Sequence, residues 1–190
     1  MERLSQKKSY YKNTDWTKIQ KGYFDYASIM QNMQNFDDEF KGSFAHFYRL
    51  NQGIKNSNNK NSFFNLLEEC INKKQDDYAT VLNRLSDLTG RNEMSFASKI
   101  VATVNPNKPI IDKIVLRHFK TNRPSYGDLK HRISVSINIY NEIEEEYHEF
   151  LKSKKGEELI NDFNKNIKQE HNFNITNIKK IDFILWQTRN

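Results

Sequence analysis

The chain has 190 residues, is 36% hydrophobic and 13% aromatic, and carries a net charge of +6 at neutral pH. Its aromatic content excludes a disordered chain, and its length suits one domain. A single cysteine, Cys70, excludes an intramolecular disulfide and a cysteine-based zinc cage. No run approaches the ~20 apolar residues a membrane span requires, and MERLSQKKSYYK holds no apolar signal core, so a cytoplasmic protein with no membrane partner is expected.

Apolar residues recur at helical spacing along the chain. Trp16, Ile19, Tyr23, Tyr26, Ala27 and Met30 mark a first helix. Phe36, Phe40, Phe44, Phe47 and Tyr48 mark a second, running to Asn51, whose aromatic stripe reads as core. NQGIKNSNNKN, polar and rich in Asn, predicts a loop. Phe63, Phe64, Leu67 and Ile71 predict a third helix, with Cys70 buried on it beside Leu66 and Leu67. Beyond the polar KKQDD, Tyr78, Val81, Leu82 and Leu85 predict a fourth, which Gly90 stops. Residues Ser95–Val104 form the next, with Phe96, Ala97, Ile100, Val101 and Val104 inward. On this helix Ser95, Ser98 and Ala102 share a row of small residues suited to close approach by another helix.

NPNKP then acts as a rigid connector, Asp112–Phe119 as a short helix, and a long helix runs from about Asp128 to Leu151. SVSINIY alternates, but the acidic helical run after it argues against a strand. Gly156 introduces a further helix, and Ile178, Ile181, Ile184, Leu185 and Trp186 close the chain. With no internal repeat and no linker rich in Gly or Ser, the expectation is one compact all-α, multi-helix domain over 1–190.

Charge is unevenly placed. Residues 91–132 hold nine Lys or Arg against three acids, and residues 142–170 hold nine acids against five Lys. One basic face meeting a polyanion fits this polarity; a solvated, lysine-rich surface is the competing reading.

The segment 88–120 concentrates the chemistry. Leu88-Thr89-Gly90-Arg91-Asn92 joins two helical patterns as a hairpin, and such a turn aims the second helix's free backbone N–H groups outward at a phosphate. A plain helix C-cap at Gly90 is the alternative. Asp112 stands where a helix N-cap is favoured. Neither Ser95 nor Ser98 has a His–Asp pair at activating spacing. Glu144 and His148 share a helix face but lie in an acidic run that reads as solvated, so no metal is expected. Phosphate-loop and dinucleotide fingerprints are absent, as is C-x-x-C, and no cofactor is expected.

In order, Leu88, Gly90, Ala97, Pro109, Asp112, Val115 and Arg117 resemble the hairpin and D-x-H-V-x-R segment of the helix-hairpin-helix DNA glycosylase superfamily, of endonuclease III and 8-oxoguanine glycosylase type. The resemblance covers about a sixth of the chain closely. Thr89, Arg91, Asn92 and Ile114 depart from it, and Met94 stands where bifunctional members carry a Schiff-base lysine. The resemblance implies a glycosylase-like fold that binds double-stranded DNA. Gly90, Arg91 and Asn92 would contact phosphate, with Lys99, Lys113 and Arg117 as auxiliary contacts, and Arg117 is the one of these best suited to a structural role. It also implies monofunctional base excision in which Asp112 stabilises the positive sugar or activates water. The alternative is a catalytically silent nucleic-acid-binding or protein-interaction module that retains the fold.

Overall fold

Helix starts in this chain are written largely in aspartate. Asp15, Asp37, Asp77, Asp112 and Asp128 each precede a helix and accept a hydrogen bond from a backbone N–H two or three residues on. Asn56 and Ser153 do the same. Each satisfies a donor that the first helical turn leaves without an intrahelical partner.

A computed structural model describes residues 4, 14–54, 56–169 and 172–187. The ends of the expected 1–190 domain therefore lie in part outside the described residues. Among the described residues there are ten helical segments and no strand. They are α1 (Trp16–Asn32), α2 (Asp38–Phe47), α3 (Leu50–Gly53), α4 (Ser57–Lys73), α5 (Tyr78–Thr89), α6 (Met94–Val104), α7 (Lys113–His118), α8 (Leu129–Leu151), α9 (Lys154–Asn166) and α10 (Asn177–Gln187). The protein is all-α. SVSINIY lies within α8, and no described helix is long and apolar enough to cross a membrane.

Two expectations are corrected. The second helix does not run on to Asn51: Arg49, at φ +53°, breaks it into α2 and the single turn α3. The Asn-rich stretch is mostly helix rather than loop, since α3 and α4 take up most of residues 51–61. Low helix propensity is a weak prior. Here it is outweighed locally by the Asn56 cap, which accepts the Asn58 N–H at 2.8 Å, and by a 3.0 Å bond from Lys60 Nζ to Asn51 Oδ1.

The two innermost helices are α6, with ten of its eleven residues buried, and α10, in which every residue from Ile178 to Leu185 is buried. Such all-round burial takes even their polar residues, among them Lys99 and Asp182, out of solvent. Helices α4 and α5 pack on α6, while α10 touches α1, α7, α8 and α9. Tyr78 on α5 stacks on Tyr140 of α8 at 3.7 Å between ring centroids, and one continuous apolar cluster reaches from Ile19 to Leu185. The aromatic stripe of α2 enters that cluster through Phe40 and Phe44. Cys70 is buried in it too, and burial pushes its thiol up to about 11.

At Ser98 the row of small residues on α6 meets extended chain. Ser98 Oγ accepts the Ile111 N–H at 2.9 Å, so the Asn105–Asp112 connector lies directly on α6. The connector is also tied to the start of α10, where Thr176 Oγ1 donates to the Pro106 carbonyl at 2.6 Å. Both ties hold the beginning of α7 in place.

Inside α10, Lys179 Nζ and Asp182 Oδ2 form an ion pair at 2.8 Å with both side chains at 0% exposure. Tyr147 donates its hydroxyl to Asp182 Oδ1 at 3.0 Å, which joins α8 to the pair. Burial raises the Asp182 carboxyl pKa, and Lys179 and the Tyr147 bond work against that rise.

Candidate nucleic-acid interface

The α5–α6 hairpin is present as a local structure. Gly90 adopts φ +69°, donates its N–H to the Ser86 carbonyl at 2.8 Å and is exposed. That is a helix C-cap in the left-handed conformation glycine favours. Arg91 is exposed as well, and its Nε lies 3.3 Å from Glu93 Oε1.

The start of α6, however, is closed. Glu93, Met94 and Ser95 are 3%, 0% and 7% exposed, so the turn does not turn this helix end outward. Glu93 places a carboxylate there, with its pKa raised by burial. Asn92 faces α8: its Nδ2 donates to Ser136 Oγ at 2.9 Å and to the Arg132 carbonyl at 3.3 Å. The expected phosphate contact at Asn92 is corrected accordingly, because packing of α8 against the hairpin takes up its amide.

Lys99 is the second correction. It is 7% exposed, donates from Nζ to the Ser95 carbonyl at 3.1 Å and lies over the Phe96 ring. Burial pulls its ammonium down to about 8, with Asp112 the main opposing charge. A side chain held this way is not a surface contact for a polyanion.

Asp112 is the N-cap of α7. Its Oδ1 accepts from the Ile114 N–H at 2.8 Å and from the Val115 N–H at 2.9 Å. The same arrangement recurs at Asp15, Asp37, Asp77 and Asp128, so the cap geometry alone does not set Asp112 apart. Two features do. It is half-exposed, and it immediately precedes a basic cleft.

That cleft, of about 740 Å³, runs along α7 and the segment after it. Lys113, Arg117, Lys120 and Arg123 line it together with the buried Leu116, and among the described residues its other lining residues are Thr121 and Asn122. The four cations arise from local structure. Lys113 and Arg117, four residues apart, lie on one face of α7. The Lys120 N–H then donates to the Arg117 carbonyl and the Thr121 N–H to the Leu116 carbonyl, a Schellman ending with Lys120 at φ +49°. This turn brings the chain back so that Arg123 donates from Nη2 to Ser95 Oγ at 2.9 Å. His118 Nε2 lies 3.3 Å from the Leu185 carbonyl and ties α7 to α10.

Of the residues singled out in the sequence, the structure brings Lys113 and Arg117 into the cleft, and Asp112 directly precedes Lys113 in the chain. Gly90 and Arg91 lie on the hairpin, outside the cleft lining. Lys120 and Arg123 were missed. Both lie beyond the end of α7, and only its left-handed ending and the turn after it bring them to the cleft.

Glu144, considered above with His148, is engaged by Lys108 Nζ at 2.6 Å and stands 3.9 Å from His148 Nε2. Among the described residues no group of three or more His, Cys, Asp or Glu could hold a metal ion. Fold and site together define an all-helical protein with a cleft lined by four basic residues. Comparison of the chain with protein-family models, with curated proteins and with solved structures gives no match.

Proposed function

We propose that this chain binds double-stranded DNA through the α7 cleft, on a scaffold of the helix-hairpin-helix glycosylase type. The observation that carries the reading is the cleft itself: four cations, Lys113, Arg117, Lys120 and Arg123, line one concavity. Such a surface neutralises phosphates and releases their counterions. The α5–Gly90–α6 pair, followed by Asp112, Val115 and Arg117, supports the scaffold reading.

The test is a salt titration of binding to a 20-base-pair duplex. Contact by all four cations gives a slope of log K on log salt of about −3 to −4. A flat response removes the reading.

Base excision by Asp112 is a second reading, favoured by one observation. Both capping bonds fall on Oδ1, so Oδ2 takes no part in the cap of this half-exposed residue, which adjoins Lys113 of the cleft in the chain. A carboxylate there would stabilise an oxocarbenium-like sugar. Incubating the protein with duplexes bearing a panel of damaged bases and scoring abasic sites tests it. Asp112→Asn keeps a capping side chain, so abasic sites formed by wild type but not by this variant support the reading. Equal formation by both, or none by wild type, leaves a catalytically silent binding module.

A further inference from the structure

We infer, resting on the cleft binding proposed above, that Tyr126 stacks on an unpaired base, so that the preferred ligand is a strand with an unstacked nucleotide rather than a perfect duplex.

Only three large hydrophobic side chains are exposed among the described residues, and Tyr126 is by far the most open of them, at 86%. A flexible loop could carry such a residue without consequence. This loop is instead braced on both sides of the ring. On one side Arg123 is bonded to Ser95 Oγ on α6. On the other, Arg132 Nη1 donates to the Gly127 carbonyl at 2.8 Å, and Asp128 caps α8 by accepting the His131 N–H at 2.7 Å. Gly127 itself sits at φ +76° against the His131 ring, where an added Cβ would come within 2.6 Å. The backbone beside Tyr126 is thus held in a left-handed conformation that favours glycine, and the Tyr126 ring is left in water.

Position adds to the argument. Tyr126 is three residues from Arg123 of the cleft lining, and three residues span at most about 11 Å. A strand held at Arg123 therefore passes within about 11 Å of the Tyr126 backbone, a distance of one or two nucleotides. Every base offers a π-face, so stacking needs no particular sequence. It does need a base whose face is free, which a fully paired duplex does not offer at that point. A basic groove followed by a loop that carries an exposed aromatic side chain is suited to that ligand.

The experiment compares two fluorescein-labelled 20-base-pair duplexes by anisotropy. One is perfect, and the other carries a single central bulged 2-aminopurine whose own fluorescence reports stacking. Wild type is expected to bind the bulged duplex roughly 5- to 150-fold more tightly and to quench the 2-aminopurine. Tyr126→Ala should abolish both preference and quench, whereas Tyr126→Phe and Tyr126→Trp should retain them. Circular dichroism and the perfect-duplex affinity of Tyr126→Ala report whether the variant is folded.

If Tyr126→Ala keeps the preference, or wild type binds both duplexes equally with a steep salt slope, the stacking inference fails and the cleft reading stands. If neither duplex is bound, or binding does not respond to salt, both fail together.

Discussion

Arg123 donates a 2.9 Å hydrogen bond from Nη2 to Ser95 Oγ, so the basic cleft is fastened to the first turn of the most buried helix that its loop reaches. That bond orients a charge without supplying one, and the two roles separate by mutation. Ser95→Ala leaves all four cations in place but releases Arg123, so duplex affinity should fall about three-fold with the salt slope unchanged. Arg117→Ala removes a charge, and the slope should shrink by about one. Anisotropy titrations at several salt concentrations read both.

For Asp112, stability separates the cap from any chemistry. Asp112→Ala removes the acceptor of two backbone N–H groups and should cost about 1–2 kcal/mol. Asp112→Asn retains a capping oxygen and should cost only a few tenths of a kcal/mol, so about the same urea midpoint as wild type is expected. Equal losses for the two variants would show that the charge, rather than the cap, stabilises α7.

Lys99 gives the protein a specific pH dependence. Its ammonium titrates at about 8 when folded, below its ordinary 10.5, because burial penalises the charged form. Between those two values the unfolded chain holds the proton and the folded chain does not, so this group makes stability rise with pH across that window. Below pH 8 its contribution is a constant destabilisation of about 3 kcal/mol. Lys99→Met should therefore be more stable than wild type at pH 7 by up to that amount, and the gap should close towards pH 10.5. Urea unfolding of both proteins across this range measures it; a gap independent of pH would contradict the assignment.

The Lys179–Asp182 pair predicts a non-additive pair of changes. Asp182→Asn leaves an ammonium at 0% exposure without its carboxylate, and should cost about 3–5 kcal/mol. Replacing both residues, as Lys179→Met with Asp182→Leu, removes both charges and should recover most of that loss, although the Tyr147 hydroxyl then loses its acceptor. Thermal unfolding of the single and double variants checks the sign of the coupling. Additive losses would rule out a strongly coupled pair.

Lys120 sets function against stability. It occupies the left-handed position at the end of α7, at φ +49°, where glycine is the usual residue. Lys120→Gly should raise stability by up to about 1 kcal/mol by relieving that conformation, while weakening duplex binding and reducing its salt slope by about one. A variant more stable and equally tight in binding would remove Lys120 from the interface. Lys74 ends α4 in the same conformation, so Lys74→Gly serves as a control that should gain stability with no change in binding.

The residues show where sequence reasoning reaches and where it stops. The course of α1, α4, α5, α6 and α8 was legible because periodicity and capping are local, spanning one or two turns. Asp15, Asp77 and Asp128 announce helices to any reader of caps, and Gly90 ends one. The Asn-rich stretch before Phe63 was misread because propensity is weak beside a cap and two flanking core residues, Leu50 and Phe63.

Side-chain direction at the site was a different matter. Lys99, Lys113 and Arg117 look alike in the sequence, yet the first is 7% exposed and the other two line a cleft. The difference is that Lys99 lies on a helix covered on every side, while α7 keeps one side open. Asn92 was drawn inward by Ser136, forty-four residues away, and Arg123 was carried to Ser95 by a turn. By itself, then, the sequence determined an all-helical chain, its caps and a basic middle third. Only the tertiary structure decided which of those cations meet in one cleft, because burial depends on partners that no local pattern names.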